Sequence, residues 1–116
     1  MSSPDDIVVM YSTAPPAESG GLARMLVEER LVACVNIVPV RSLYWWKGDV
    51  CDEEEHLLVI KTLQKETERV ITAIREHHSY EVPEVIVLPV TAGYPPYLDW
   101  VRKETQHGGD FRAGSG

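Results

Sequence analysis

Two adjacent histidines, His77 and His78, close a helical stretch and are the best-placed metal ligands in the chain. Neighbouring imidazoles in a loop can point at one ion or at two separate partners. The same position has a plainer use, because histidines at a helix C-terminus bond its free carbonyls and suit its dipole. Cys34 offers a thiolate that would favour Cu(I) or Zn(II), although a cysteine inside an apolar strand more often packs as a small core residue. Cys51, Asp52, Glu53, Glu54, Glu55 and His56 form a dense run of donors. Strand alternation splits that run between two faces, so it reads as a solvated acidic edge. None of these spacings is that of a structural zinc site. Farther on, Tyr80-Glu81-Val82-Pro83-Glu84 sets two carboxylates around a proline and reads as a rigid loop. Glu84 at the mouth of a strand can pair with Lys61, and Trp46, Tyr97 and Trp100 would wall such a pair into a small-ligand pocket. No nucleophile and base share a recognisable elbow or spacing, so the chain reads as a non-enzyme with no organic cofactor.

Composition narrows the partners. The 116 residues, 44% of them apolar, suit one globular domain. A net charge of −7 repels both a phosphate backbone and an anionic membrane surface, which argues against nucleic acid and lipid as partners. The amino terminus carries no basic-then-apolar leader, and no apolar run approaches the ~20 residues that span a bilayer. Two cysteines are too few for a disulfide framework, and a reducing cytoplasm is the expected compartment.

The elements that must position these residues follow from patterning. The apolar run Ile7 to Tyr11 predicts β1, which Thr13-Ala14-Pro15-Pro16 interrupts. Leu22, Met25, Leu26, Val27 and Leu31 recur at helical spacing and predict α1 up to about Arg30, with irregular opening turns at Gly20-Gly21. Val32 to Trp46 is rich in β-branched and aromatic residues and predicts β2; Lys47-Gly48-Asp49 turns the chain into β3, Val50 to Thr62. Lys65 to His77 predicts α2, Val85 to Val90 predicts β4, and Tyr94-Pro95-Pro96 opens α3 through Val101. The order βαββαβ with a C-terminal helix predicts an α+β ferredoxin-like sandwich, one domain over residues 1–107, followed by a disordered tail at 108–116.

The central hairpin is the outsized element. Val32 to Trp46 would extend close to 50 Å at ~3.3 Å per residue. A chain of this length has a radius of gyration near ~13 Å and is roughly 35 Å across. The hairpin must therefore bend, with Pro39 as the expected bend, or overhang. Leu43, Tyr44, Trp45 and Trp46 then leave apolar side chains on both faces, which predicts self-association.

Several segments together resemble the CutA family of divalent-cation tolerance proteins. They are Leu31-Val32-Ala33-Cys34-Val35-Asn36-Ile37-Val38-Pro39, Ser42-Leu43-Tyr44-Trp45-Trp46-Lys47-Gly48, Ile60-Lys61-Thr62, His78-Ser79-Tyr80-Glu81-Val82-Pro83-Glu84 and Tyr97-Leu98-Asp99-Trp100. The resemblance implies a homotrimer related in shape to PII signalling proteins, a cytoplasmic location, and a role in tolerance to copper and other divalent metal ions. It also implies pockets between subunits, to which Trp46, Lys61, Glu84 and Tyr97 would contribute, suited to a small anionic or zwitterionic ligand. Three positions depart from the family pattern. The stretch from Pro39 to Ser42 is one residue short, Ser79 replaces a common proline, and Ser12 stands where some relatives carry a cysteine implicated in copper binding. That leaves His77, His78 and Cys34 as the expected metal ligands.

Overall fold

A computed structural model of the chain describes residues 3–106. The expected tail at 108–116 lies outside those residues. The order is β1 (Ile7–Ala14), α1 (Pro16–Glu28), β2 (Cys34–Trp46), β3 (Asp49–Leu63), a single 3₁₀ turn (Gln64–Glu66), α2 (Thr67–His77), β4 (Val85–Pro89) and α3 (Pro95–Glu104). The strands form one antiparallel sheet in the order β2-β3-β1-β4, the ferredoxin-like arrangement that βαββαβ connectivity predicts.

Alternation along the strands assigns the two faces. Val8, Met10, Ser12 and Ala14 of β1, with Leu58, Ile60 and Thr62 of β3, are buried beneath Leu22 and Leu26 of α1 and Val70 and Ile74 of α2. Ile7 and Leu63 point the other way and pack against Val101 of α3, which covers only the first rows of that face. Beyond α3 the face is open: Val38, Ile86 and Leu88 are exposed, and Tyr11, Leu57 and Val59 are half-buried.

Helix α1 ends on Arg30 at φ 57, with the Arg30 N–H donating to Val27 and the Leu31 N–H to Leu26, both at carbonyl oxygens. This double bond pattern satisfies the last free carbonyls and brings Leu31 back onto the core. Gly20 and Gly21 are not irregular, because the helix runs straight through both. They lie on its exposed side, with nothing within 4 Å of a Cβ added at either position. Replacing each by alanine is expected to stabilise the chain by about 0.5–1 kcal/mol, read as an upward shift in thermal midpoint.

Three expectations about the strands are corrected. β1 runs on to Ala14, because Ser12 and Ala14 continue the buried face and Leu58 and His56 of β3 pair with them. β2 starts at Cys34, two residues later than expected, Val32 being a buried core residue just before the strand. Pro39 makes no bend: the β2–β3 register runs without a slip from Cys34↔Lys61 to Trp46↔Asp49. β2 is an edge strand, where a proline's missing donor can face outward at no cost to the ladder.

The hairpin overhangs instead of bending. β1 stops at Ala14↔His56, so the arms from Val40 to Trp46 and from Asp49 to Glu55 run roughly 23 Å past the last β1 row. The segment after α2 lies beside them, with the Lys47 ammonium 3.9 Å from Glu81. A longest dimension of 46 Å and a radius of gyration of 15.1 Å reflect that projection. At its tip Lys47 (φ 51) and Gly48 (φ 86) form the positive-φ two-residue turn that matches strand twist.

Candidate functional site

Lys61 lies on the open face of β3, in the row Cys34–Lys61–Val9–Leu88. Its ammonium donates to Asn36 Oδ1, and the Cys34 thiol donates to the same oxygen at 3.8 Å. Among the described residues no carboxylate forms an ion pair with Lys61. Helix α3 supplies the wall: the Tyr97 and Trp100 rings lie 5.6 Å apart, centroid to centroid. Burial pushes the Tyr97 phenol above its ordinary pKa, and the neighbouring Cys34 adds to the shift. One positive charge, a polar amide and a thiol thus share the sheet face on which α3, with its two aromatic rings, packs.

The other expected wall residues are elsewhere. Trp46 pairs with Asp49 at the far end of the ladder, ~40 Å along the strand from Cys34, with the Lys47 ammonium 5.6 Å from its ring centroid. Glu84 does not pair with Lys61. The register sets Leu88 in the Lys61 row, and Glu84 precedes the strand, so several residues and two strand spacings separate them. Two clefts of about 340 Å³ occur, one along α2 at Leu31, Arg69 and Glu76 and one at the hairpin root at Pro16, Pro39 and His56. Neither of these is lined by Lys61, Tyr97 or Trp100.

The donor run on β3 is also not a uniformly solvated edge. Glu55 is 4% exposed and accepts a hydrogen bond from the Tyr80 hydroxyl at 2.7 Å. Tyr44 donates to Glu53 at 2.6 Å, and Arg41 donates twice to Asp52, at 2.8 and 2.6 Å. The bond to Glu53 holds the Tyr44 phenol well above its usual pKa; burial, then the bond to Glu55, does the same for Tyr80. His56 Nδ1 lies 2.7 Å from Ser19 Oγ, a contact between residues far apart in sequence that spacing alone does not reveal. Ser19 is 2% exposed, so the contact straps α1 to β3 rather than presenting a hydroxyl to solvent.

His77 and His78 close α2 as expected, and their rings turn back onto carbonyls. His77 Nδ1 bonds the Ala73 carbonyl at 2.9 Å and His78 Nε2 the Thr13 carbonyl at 2.7 Å. Cys34 is on the edge strand β2, two strands from β1 and four ladder rows from the Thr13 row that His78 bonds. Among the described residues no three His, Cys, Asp or Glu side chains are grouped to hold a metal ion. No helix among them is long and apolar enough to cross a membrane.

The family model described as "CutA1 divalent ion tolerance protein" matches residues 7–104. The chain belongs to this family. Among curated CutA proteins it is 45% identical over 102 residues to the chloroplastic CutA of Arabidopsis thaliana, covering 86% of this chain and 56% of that one. It is 42% identical over 99 residues to the divalent-cation tolerance protein CutA of Thermus thermophilus, covering 84% of this chain and 96% of that one. The chain thus spans little more than half the length of the plant relative and nearly all of the bacterial one. Among solved structures, the PII-like CutA of Nostoc sp. PCC 7120 superposes with a TM-score of 0.84 at 42% identity, over 87% of this chain and 99% of that one. CutA1 of Oryza sativa superposes with a TM-score of 0.85 at 39% identity, over 89% and 96%. The PII-like form implied by the sequence segments is therefore the form of this chain. CutA relatives include a chloroplastic protein and one called periplasmic, from Archaeoglobus fulgidus, so CutA membership fixes no compartment.

Proposed function

We propose that the chain acts in divalent-cation tolerance as a homotrimeric, PII-like binding module that takes a small anionic or zwitterionic ligand between subunits. The observation that carries this reading is Lys61, a cation with no carboxylate partner among the described residues, on the sheet face that α3, the helix of Tyr97 and Trp100, only partly covers. When a second copy covers that face, the ammonium leaves water and needs a negative partner, because an unpaired buried charge is costly. A second copy is also what can bring a hairpin tip, with Trp46 and Lys47, to the sheet face that one subunit presents. A planar carboxylate fits this chemistry: its charge meets Lys61 and its body stacks on Tyr97 and Trp100.

Thermal-shift titration with benzoate tests the reading, with phosphate as a compact anion for comparison. Benzoate is expected to raise the midpoint of the wild-type chain, by linkage worth ~2.7 kcal/mol at a hundredfold excess over Kd, and to leave Lys61→Met unmoved. Equal shifts in the two proteins would remove Lys61 from the site.

A second reading, direct binding of copper or another divalent ion, is favoured by the family description and by His77, whose Nε2 has no partner among the described residues. Copper titration that weakens on His77→Ala supports it. A cytoplasmic working location accompanies both readings, on the strength of two unpaired cysteines.

A further inference from the structure

The family is tied to divalent ions, and the histidine pair is where this chain offers imidazoles. The rings are already committed. His78 Nε2–H donates to the Thr13 carbonyl at 2.7 Å, and His78 Nδ1 accepts the Tyr80 N–H at 3.0 Å. A neutral imidazole has one donor and one acceptor nitrogen, so these two bonds fix the Nε2–H tautomer and use its only ring lone pair. A metal needs that lone pair. His77 has given Nδ1 to Ala73, which leaves it one nitrogen. Ser12 is buried with a hydroxyl that has no partner among the described residues, and a neutral hydroxyl is a poor substitute for a thiolate toward a soft ion. Cys34 is several ladder rows away. These residues do not fit a metal centre.

From that disagreement we infer that His78 is a positioning residue that braces the segment Ser79–Glu84 against the end of β1, and that the histidine pair does not hold a divalent ion as a chelate. The brace continues outward from the ring. The Ser79 N–H donates to Glu18 of α1 at 3.2 Å. The Tyr80 ring leans on the imidazole at 4.6 Å between centroids, and its hydroxyl reaches Glu55 at 2.7 Å. Glu55 sits just past the point where β1 stops, at the root of the overhanging hairpin. A chain of contacts therefore runs from the Thr13 carbonyl through His78 and Tyr80 to that root, and sets the direction in which the hairpin leaves the body. This inference is independent of the anion-binding reading, since none of its contacts involves Lys61, Tyr97 or Trp100.

The test uses the whole 116-residue chain. Long-range ¹H–¹⁵N spectra of the wild type are expected to show His78 as the Nε2–H tautomer, unmoved by zinc. In His78→Ala, the Tyr80 amide is expected to exchange roughly five- to tenfold faster, as befits one lost hydrogen bond. Zinc affinity by calorimetry is expected to stay within about twofold of wild type. Three results would overturn the inference: zinc displacing the His78 ring signals, an about tenfold or greater loss of zinc affinity in His78→Ala, or unchanged Tyr80 exchange in that variant. If His78→Ala does not fold, the wild-type tautomer and its response to zinc decide the matter by themselves.

Discussion

Ile86→Asp is expected to be folded and monomeric, whereas the wild-type chain is expected to run at three times its 13.0 kDa subunit mass by light scattering at micromolar concentration. Ile86 is 47% exposed and pairs with Tyr11 on the face that α3 leaves open. Within one subunit an aspartate there can reach water, and the lost burial and strand preference cost on the order of 1 kcal/mol. Beneath a second copy the same carboxylate would be buried without a partner, a penalty of roughly 3–5 kcal/mol, or more than a hundredfold in association. Circular dichroism separates loss of assembly from loss of fold. A folded variant that keeps the wild-type mass would show that the sheet face is not the contact, and would move attention to the overhanging Leu43 and Trp45, which are 62% and 74% exposed.

The second large effect belongs to the core. Leu58→Ala is expected to cost about 2–5 kcal/mol, a large fraction of the ~5–15 kcal/mol that holds a domain together. Leu58 is fully buried and pairs with Ser12 on the helix-covered face. Leu57 is only half-buried and points to the open face. Urea unfolding of each alanine variant in the Ile86→Asp background reads subunit stability without association. Leu57→Ala is expected to cost well under half as much, because little of it is buried in one subunit. Equal losses would mean that the faces have been assigned the wrong way round.

Local patterns carried most of the fold. The Lys47-Gly48 turn between two β-rich arms and the helical spacing of Val70, Ile71 and Ile74 depend only on near neighbours, and both elements formed where expected. The misplaced features depend on distant ones. Ser12 and Ala14 are small residues that read as a strand end, yet β3 supplies their ladder partners from more than forty residues away. Glu55 reads as solvated because its partner, Tyr80, comes from another loop. The site divides in the same way. Cys34 and Lys61 share a row, and the charge of Cys34 is felt at Tyr97, because α3 packs on the same face of the sheet. Lys61 and Glu84 share no row, since strand register and not residue type decides who is opposite whom. Trp46 is held from Lys61 by the length of the hairpin, a separation that aromatic content alone does not express.

The edge strand has a consequence for the order of assembly. β2 and β3 are joined by two residues, so their ladder needs almost no loop closure and can zip on the ~1–10 μs scale of hairpins. β1 must reach β3 across the whole of α1 and β2, and closes later. A newly made subunit would then show its neighbours a long unpaired strand before it is complete, the template from which swapped and misregistered aggregates grow. Pro39 interrupts that template near its middle, because a strand laid along β2 finds no donor there. The residue that does not bend the hairpin would instead act as a gatekeeper, narrowing the alignments in which one copy can add to the next.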